Sequence, residues 1–321
     1  MKVIFLGTPE FAIKPLEALI KHHEVVAVVT QPDAMGKRGN KLEPSPVKKC
    51  ALSHNIDVHQ FKKIRKEGTE ILKKYNADVM ITCAYGQILS KENLEITPIG
   101  TLNIHGSILP KYRGAAPIQW ALINGEKETG ITILKSGVGM DDGDIMYIKT
   151  INIEPTDSAE NLYPKLSELG AECILKVLDD IKNGVATYTK QNENEATHCT
   201  MISKEMCKLD FTKSAKDIVN LIKGVNLNPV AHFTLNDKNF KVYSATILSE
   251  ELCNKYNLKL ENFKCGEVAY STNKSGLIIK ALDGFVQIQD LQPEGGKRMD
   301  SKSYLNGRKI EVGSVIGWTK S

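Results

Sequence analysis

TLNIHGSILPKYRGAAPI, residues 101–118, begins as a strand and ends as a loop. Leu102 and Ile104 alternate with Asn103 and His105, so the apolar pair faces a core while the amide and the imidazole project together from the other face. Gly106, Pro110, Gly114 and Pro117 then interrupt the backbone repeatedly, which predicts an ordered loop at the carboxyl end of the strand. In open α/β sheets that end is where ligands bind.

Upstream, Lys2–Gly7 reads as a buried parallel strand, with Thr8 placed to cap a helix and Pro9 in its first turn. That helix runs to about Lys21 and is followed by a second strand, Val25–Thr30. Ser45 and Pro46 open another helix, Ile64–Tyr75 reads as one helix with a charged outer face, and Val79–Cys83 is a further strand ending at Ala84-Tyr85-Gly86. Alternating strands and helices predict a Rossmann-like, mostly parallel α/β sheet with helices on both faces. The turn Gly7-Thr8-Pro9-Glu10 lacks the G-x-G-x-x-G arrangement that admits a pyrophosphate, which excludes a nicotinamide or flavin cofactor.

Downstream, Gly130–Lys135 and Ile145–Ile153 alternate as strands, and Ser158–Asn183 reads as one or two helices. Between the two strands lies the acidic, glycine-rich turn Gly139-Met140-Asp141-Asp142-Gly143-Asp144. An amide donor beside an imidazole suits acyl transfer: the amide donates to an oxyanion growing on a carbonyl, and the imidazole exchanges protons with a nitrogen. Asp141 is placed to orient that imidazole. No serine or cysteine stands out as a nucleophile, so direct attack by a substrate amine is expected. Asp141, Asp142 and Asp144 lack the spacing and terminal Glu of an EF-hand, so no metal is expected, and Asp144 is expected to cap or brace the turn. Asn-x-His alone is a weak motif; the loop after it and the acidic turn give it weight.

A chain of 321 residues, 41% of them hydrophobic, suffices for about two domains with ordinary cores. Seven cysteines scattered without a C-x-x-C pair argue against a zinc site or a disulfide framework and fit a reducing cytosol. Val3–Leu6 is too short a run for a signal or membrane segment. A net charge of +4 is compatible with a nucleic-acid partner without requiring one. The segment from Gln31 to Pro46 is a long Pro/Gly-punctuated loop whose Lys37, Arg38 and Lys41 could contact phosphates. From Val185 to Lys204 the chain turns polar, as a linker does. Beyond it several short alternating runs, with a hairpin turn at Asn236–Asn239, predict a small OB-like β-barrel. The expected domains are therefore 1–184, a linker at 185–203, and 204–321. Lys297, Arg298, Lys302, Arg308 and Lys309 offer a basic face or a merely solvated one.

Asn103 to Ile118, NIHGSILPKYRGAAPI, with the later Asp141, resembles the signature of the folate-dependent formyltransferases, and the likeness extends to both ends of the chain. The resemblance implies that Asn103 stabilises a tetrahedral oxyanion, His105 transfers protons and Asp141 supports His105. It implies a folate pocket lined by Ser107, Ile108, Leu109 and Pro110, with Tyr85 and Gly86 as further candidates. It implies 10-formyltetrahydrofolate as formyl donor and no membrane partner. It further implies a monomeric, cytoplasmic enzyme that formylates methionine esterified to initiator tRNA. In that branch of the family the loop carrying Arg38 enters the tRNA acceptor stem and the C-terminal barrel helps hold the tRNA. Where Asn228 stands, the family usually has a Trp. The alternative substrate is the amine of an amino sugar or of a small nucleotide, because all members share the Asn, His and Asp group.

Overall fold

Apolar runs too short for helices but rich in Val and Ile form the strands of the first sheet. The strands β1 (Lys2–Gly7), β2 (Glu24–Thr30), β3 (Val58–Gln60), β4 (Val79–Cys83) and β5 (Thr101–His105) lie parallel in the order β3-β2-β1-β4-β5. Two more strands, β6 (Glu128–Lys135) and β7 (Ile145–Asn152), extend the sheet antiparallel beyond β5. This is the expected mostly parallel sheet. Its order reverses at β1 and β4, and the crevice outside their carboxyl ends is the general ligand position of such sheets. The computed structural model describes residues 1–35 and 42–317; Lys37, Arg38 and Lys41 lie outside the described residues.

The chain divides into two compact units, each described by itself: residues 1–117, 128–152 and 162–199 form the first, and residues 118–127, 153–161 and 200–321 the second. In the first unit Ile4 and Leu6 turn onto Phe61, Ile64 and Leu72 on one face of the sheet. The opposite face, carrying Phe5 and Ile104, meets the helix Ala159–Lys182, where a Cβ on Gly170 would lie 3.1 Å from the Ile104 side chain. Register pairs Leu6 with Thr82 and Thr82 with Asn103, so these three, and His105 two residues on, share the Leu6 face.

Two local readings need correction. Thr8 caps no helix: a 3-10 turn, Glu10–Ala12, precedes the helix Ile13–His22. Its hydroxyl donates to the Tyr85 carbonyl and accepts from the Gln31 amide, tying together the ends of β1, β2 and β4. The helix read over Ile64–Tyr75 is two short ones, Ile64–Glu67 and Thr69–Lys73, broken at Gly68. A Cβ at Gly68 would sit 2.6 Å from Ile64 Cγ1, so the chain folds back on itself too closely there for a larger residue.

In the second unit β8 (His232–Leu235), β9 (Lys238–Ile247), β10 (Val268–Thr272), β11 (Gly276–Lys280) and β12 (Phe285–Pro293) form an antiparallel sheet in the order β8-β9-β12-β11-β10. Asn236 and Asp237, both at positive φ (48° and 59°), make the two-residue hairpin turn between β8 and β9, matching the strand twist. Phe211, Phe233, Phe240 and Tyr304 pack in succession at centroid distances of 6.4, 5.3 and 5.7 Å. The sheet curls, and residues 313–317 span its two edges. Val268 N donates to Ser314 O, Ile316 N to Gly266 O, and Gly317 N to Thr234 O. The expected small barrel is thus a curled antiparallel half-barrel with a closing strap.

Candidate active site

Asn103 and His105 leave the end of β5 on the same face, and the turn after β6 brings Asp141 to them. Asn103 Nδ2 donates to Asp141 Oδ1 at 3.0 Å, and His105 Nδ1 lies 3.6 Å from Asp141 Oδ2. The Gly114 backbone N–H donates to the same Oδ2 at 2.8 Å. Thr82 Oγ1, one strand over, donates to Asn103 Oδ1 at 2.8 Å. That donation and the carboxylate opposite fix the amide: turned over, its oxygen would face Asp141. One hydrogen of Asn103 Nδ2 goes to Asp141, which leaves the second for a ligand.

His105 is 5% exposed, and its Nε2 lies 2.9 Å from the Tyr112 carbonyl. A carbonyl only accepts, so the hydrogen sits on Nε2 and Nδ1 faces Asp141. Cys199 Sγ donates to the same Tyr112 oxygen and to the Arg113 oxygen, both at 3.4 Å. Burial, with the Asp141 carboxylate adding to it, pushes this thiol up to about 12. It stays protonated at neutral pH and acts as a donor, not as a nucleophile.

Non-glycine residues at positive φ gather here: Ala84 at 48°, Tyr112 at 63°, Ala116 at 59° and Asp141 at 53°. Such conformations cost free energy, and a surrounding structure that over-determines them is usual at functional sites. Gly143 is required by space, because a Cβ there would strike the Lys135 carbonyl oxygen.

Ser107–Pro110 follows β5 directly. Ser107 and Leu109 are buried: Ser107 Oγ donates to Lys111 O, and Leu109 N donates to Thr132 Oγ1, which in turn donates to Ser107 O. Ile108 and Pro110 are partly exposed on the same loop. Tyr85 packs into the core beside Phe61 and Ile64, its hydroxyl buried without a hydrogen-bond partner. Gly86, at φ 87°, lies against Gln31, and Ile88 beyond it is exposed. The structure therefore gathers Asn103, His105 and Asp141 into one cluster and sets Ser107–Pro110 and Tyr85–Gly86 at the ends of the adjacent strands β5 and β4.

Thr82, Arg113, Gln191 and Cys199 are members of the site that pattern reading does not identify. Arg113 stands in the quoted stretch, but its spacing carries no role. Residues 185–199, linker-like in composition, are tied to the site: His198–Cys199 pairs as a short parallel strand with Arg113–Gly114, and Thr197 Oγ1 accepts from Tyr112 N. Among the described residues no His, Cys, Asp and Glu group is arranged to hold a metal, and no helix is long and apolar enough to cross a membrane.

A formyl transferase family profile matches residues 1–178, and the profile of the formyl transferase C-terminal domain matches residues 201–309. The methionyl-tRNA formyltransferase of Agathobacter rectalis is 44% identical over 318 residues, covering 98% of this chain and 99% of that protein. In fold, the chain is similar to HypX from Aquifex aeolicus in complex with tetrahydrofolic acid (TM-score 0.63, 18% identity, 99% of this chain), spanning about half, 51%, of that longer chain. It is likewise similar to WlaRD, a sugar 3N-formyl transferase, at TM-score 0.62 and 21% identity, covering 89% of this chain and 96% of that one. Identity over nearly full length to one relative, and profiles covering both halves, make this chain a member of the formyl transferase family, in its methionyl-tRNA formyltransferase branch.

Proposed function

We propose that this chain transfers the formyl group of 10-formyltetrahydrofolate to the α-amino group of methionine esterified to initiator tRNA, as a cytoplasmic, monomeric enzyme of translation initiation. The observation that carries the residue roles is the convergence of Asn103 and His105 on the single carboxylate of Asp141, met from 38 residues away. The folate supplies the formyl carbon. Asn103 Nδ2 turns its second hydrogen to the formyl oxygen as that oxygen gains negative charge. In the neutral tautomer with its hydrogen on Nε2, His105 takes the proton from the attacking amine at Nδ1, and Asp141 faces the imidazolium so formed. As the bond from the formyl carbon to the folate nitrogen breaks, His105 returns a proton to the leaving nitrogen. No acyl-enzyme is needed, in keeping with the protonated, donating state of Cys199.

The loops after β4 and β5 fit a flat heterocyclic donor: they offer the apolar Ile88, Ile108 and Pro110, all at least partly exposed. Lys37, Arg38 and Lys41 are the tRNA contacts of this reading, and residues 1–184 its catalytic domain, with 204–321 as the tRNA-holding domain. The test is a formyl-transfer assay with one folate donor and three acceptors: methionine-charged initiator tRNA, the same tRNA uncharged, and an amino-sugar nucleotide. Formylation of the charged tRNA alone is expected. Formylation of the amino sugar in its place would overturn the assignment.

A further inference from the structure

Asp141 does its work from a turn with little cohesion of its own. Gly137, Val138, Gly139 and Met140 are all exposed, and Asp141 itself sits at φ 53°. The backbone of this turn is held from outside. Gln191 Nε2 donates both its hydrogens, one to Asp141 O and one to Gly143 O, each at 2.7 Å. Its Oε1 accepts from Arg113 Nε at 3.0 Å and Nη2 at 2.9 Å. With both hydrogens and both lone pairs engaged, the amide has one orientation: reversed, it would set oxygen against two carbonyls and N–H against a guanidinium. Arg113 is 3% exposed, and its Nη1 and Nη2 donate to Glu193 at 2.9 and 2.8 Å. The contacts close a ring, because Gly114, the residue after Arg113, gives its N–H to Asp141 Oδ2.

We infer that Gln191, clamped by Arg113 and Glu193, is a positioning residue that sets the Asp141 carboxylate against Asn103 and His105. This rests on the role proposed above for Asp141. The segment around Gln191 is then part of the catalytic apparatus and not merely a tether, although its side chains need never touch substrate. The chemical reason is distance sensitivity: displacing a reacting or orienting group by about 1 Å can cost about 100-fold in rate, and the bond that closes the base of the turn, Lys135 N to Asp144 O at 2.9 Å, leaves the Asp141 backbone itself to be held by Gln191.

The test measures kcat and KM for both substrates in the full-length enzyme. Gln191→Ala should lower kcat by about 10- to 100-fold with KM for donor and tRNA changed by less than about threefold, since binding surfaces are untouched. Gln191→Glu keeps the shape but presents oxygen to the two carbonyls, and should lose as much as Ala. Glu193→Ala loosens the clamp from its exposed end and should lose about threefold to tenfold in kcat, which keeps the inference testable if either Gln191 variant folds poorly. The decisive comparison is Asp141→Asn/Gln191→Ala against Asp141→Asn. If Gln191 acts through the carboxylate, the double variant is no slower than Asp141→Asn by more than about twofold; a merely structural role makes the losses multiply. Wild-type kcat in Gln191→Ala and Glu193→Ala, or multiplying losses, would overturn the inference. Wild-type kcat in Asp141→Asn would instead overturn the role of Asp141 proposed above.

Discussion

At the rim of the parallel sheet, His105 and Arg113 are almost wholly buried and their polar atoms meet partners drawn from several parts of the chain. Two basic side chains of the second unit, Arg298 and Lys309, lie nearer solvent and pair with carboxylates there: Arg298 with Glu160 and Asp290, and Lys309 with Glu311. Arg298 also lies 4.2 Å from the centre of the Tyr243 ring. Both regions hold ion pairs, but desolvation separates them. A buried, fully partnered group is held to one geometry, as reacting chemistry needs, whereas an exposed pair is screened and can exchange partners with water. Arg298 is thus paired within its own unit, by contacts that solvent can replace.

The largest expected break in this contrast is at the rim. Asn103→Ala and His105→Ala should each reduce turnover by about 100- to 1,000-fold, the usual cost of losing one oxyanion donor or the proton carrier, with a wild-type circular dichroism spectrum showing the fold retained at the assay temperature. Turnover within a few-fold of wild type in either would remove that residue from the mechanism. Thr82→Val, nearly equal in volume, deletes the donor that orients the Asn103 amide and should cost about tenfold in kcat; an unchanged kcat would show that Asp141 alone fixes the amide.

In the second unit the effects should be small. Arg298→Ala should cost less than about 1 kcal/mol of stability, as exposed pairs do, and leave the salt dependence of tRNA binding unchanged. A shallower salt slope would make Arg298 a phosphate contact after all. The smallest effect is a pH dependence at the clamp. The Arg113 guanidinium holds the Glu193 carboxyl below its ordinary 4.5, so the pair stabilises the fold in full above that pH. It weakens as pH falls below 4.5 and vanishes below the depressed value. The gap in urea midpoint between wild type and Glu193→Gln should therefore be constant from pH 7 to about 5 and narrow as pH falls below 4.5. A gap that widened on acidification would contradict the ion pair.

Much of the framework is legible in the chain as written. Short apolar runs marked β1, β2 and β4 and period-two alternation marked β5, each within a residue or two, and the hairpin at Asn236–Asn239 followed from its turn residues. Ser45 accepts from Lys48 N as an N-cap before Pro46, as those residue types imply. Thr8 misled because a threonine before a proline looks the same to local pattern whether its hydroxyl caps a helix or bridges to Tyr85, 77 residues away. The helix Glu250–Lys255, capped by Ser249, also escaped the pattern, being short and without buried residues to impose a period.

The sequence by itself determined which chemistry is available: an amide and an imidazole two positions apart on a strand, a carboxylate in a glycine-rich turn, and strands apolar enough to bury a sheet. These are local properties, set by side-chain identity and backbone period. Only the tertiary structure decided that Thr82, Arg113 and Gln191 serve the same site, and that a polar, linker-like segment is bound into it. Hydrogen bonds spanning 21, 50 and 78 residues leave no periodic trace in the chain. They exist because burial penalises any polar atom left without a partner, and that penalty acts only once the chain has closed around it.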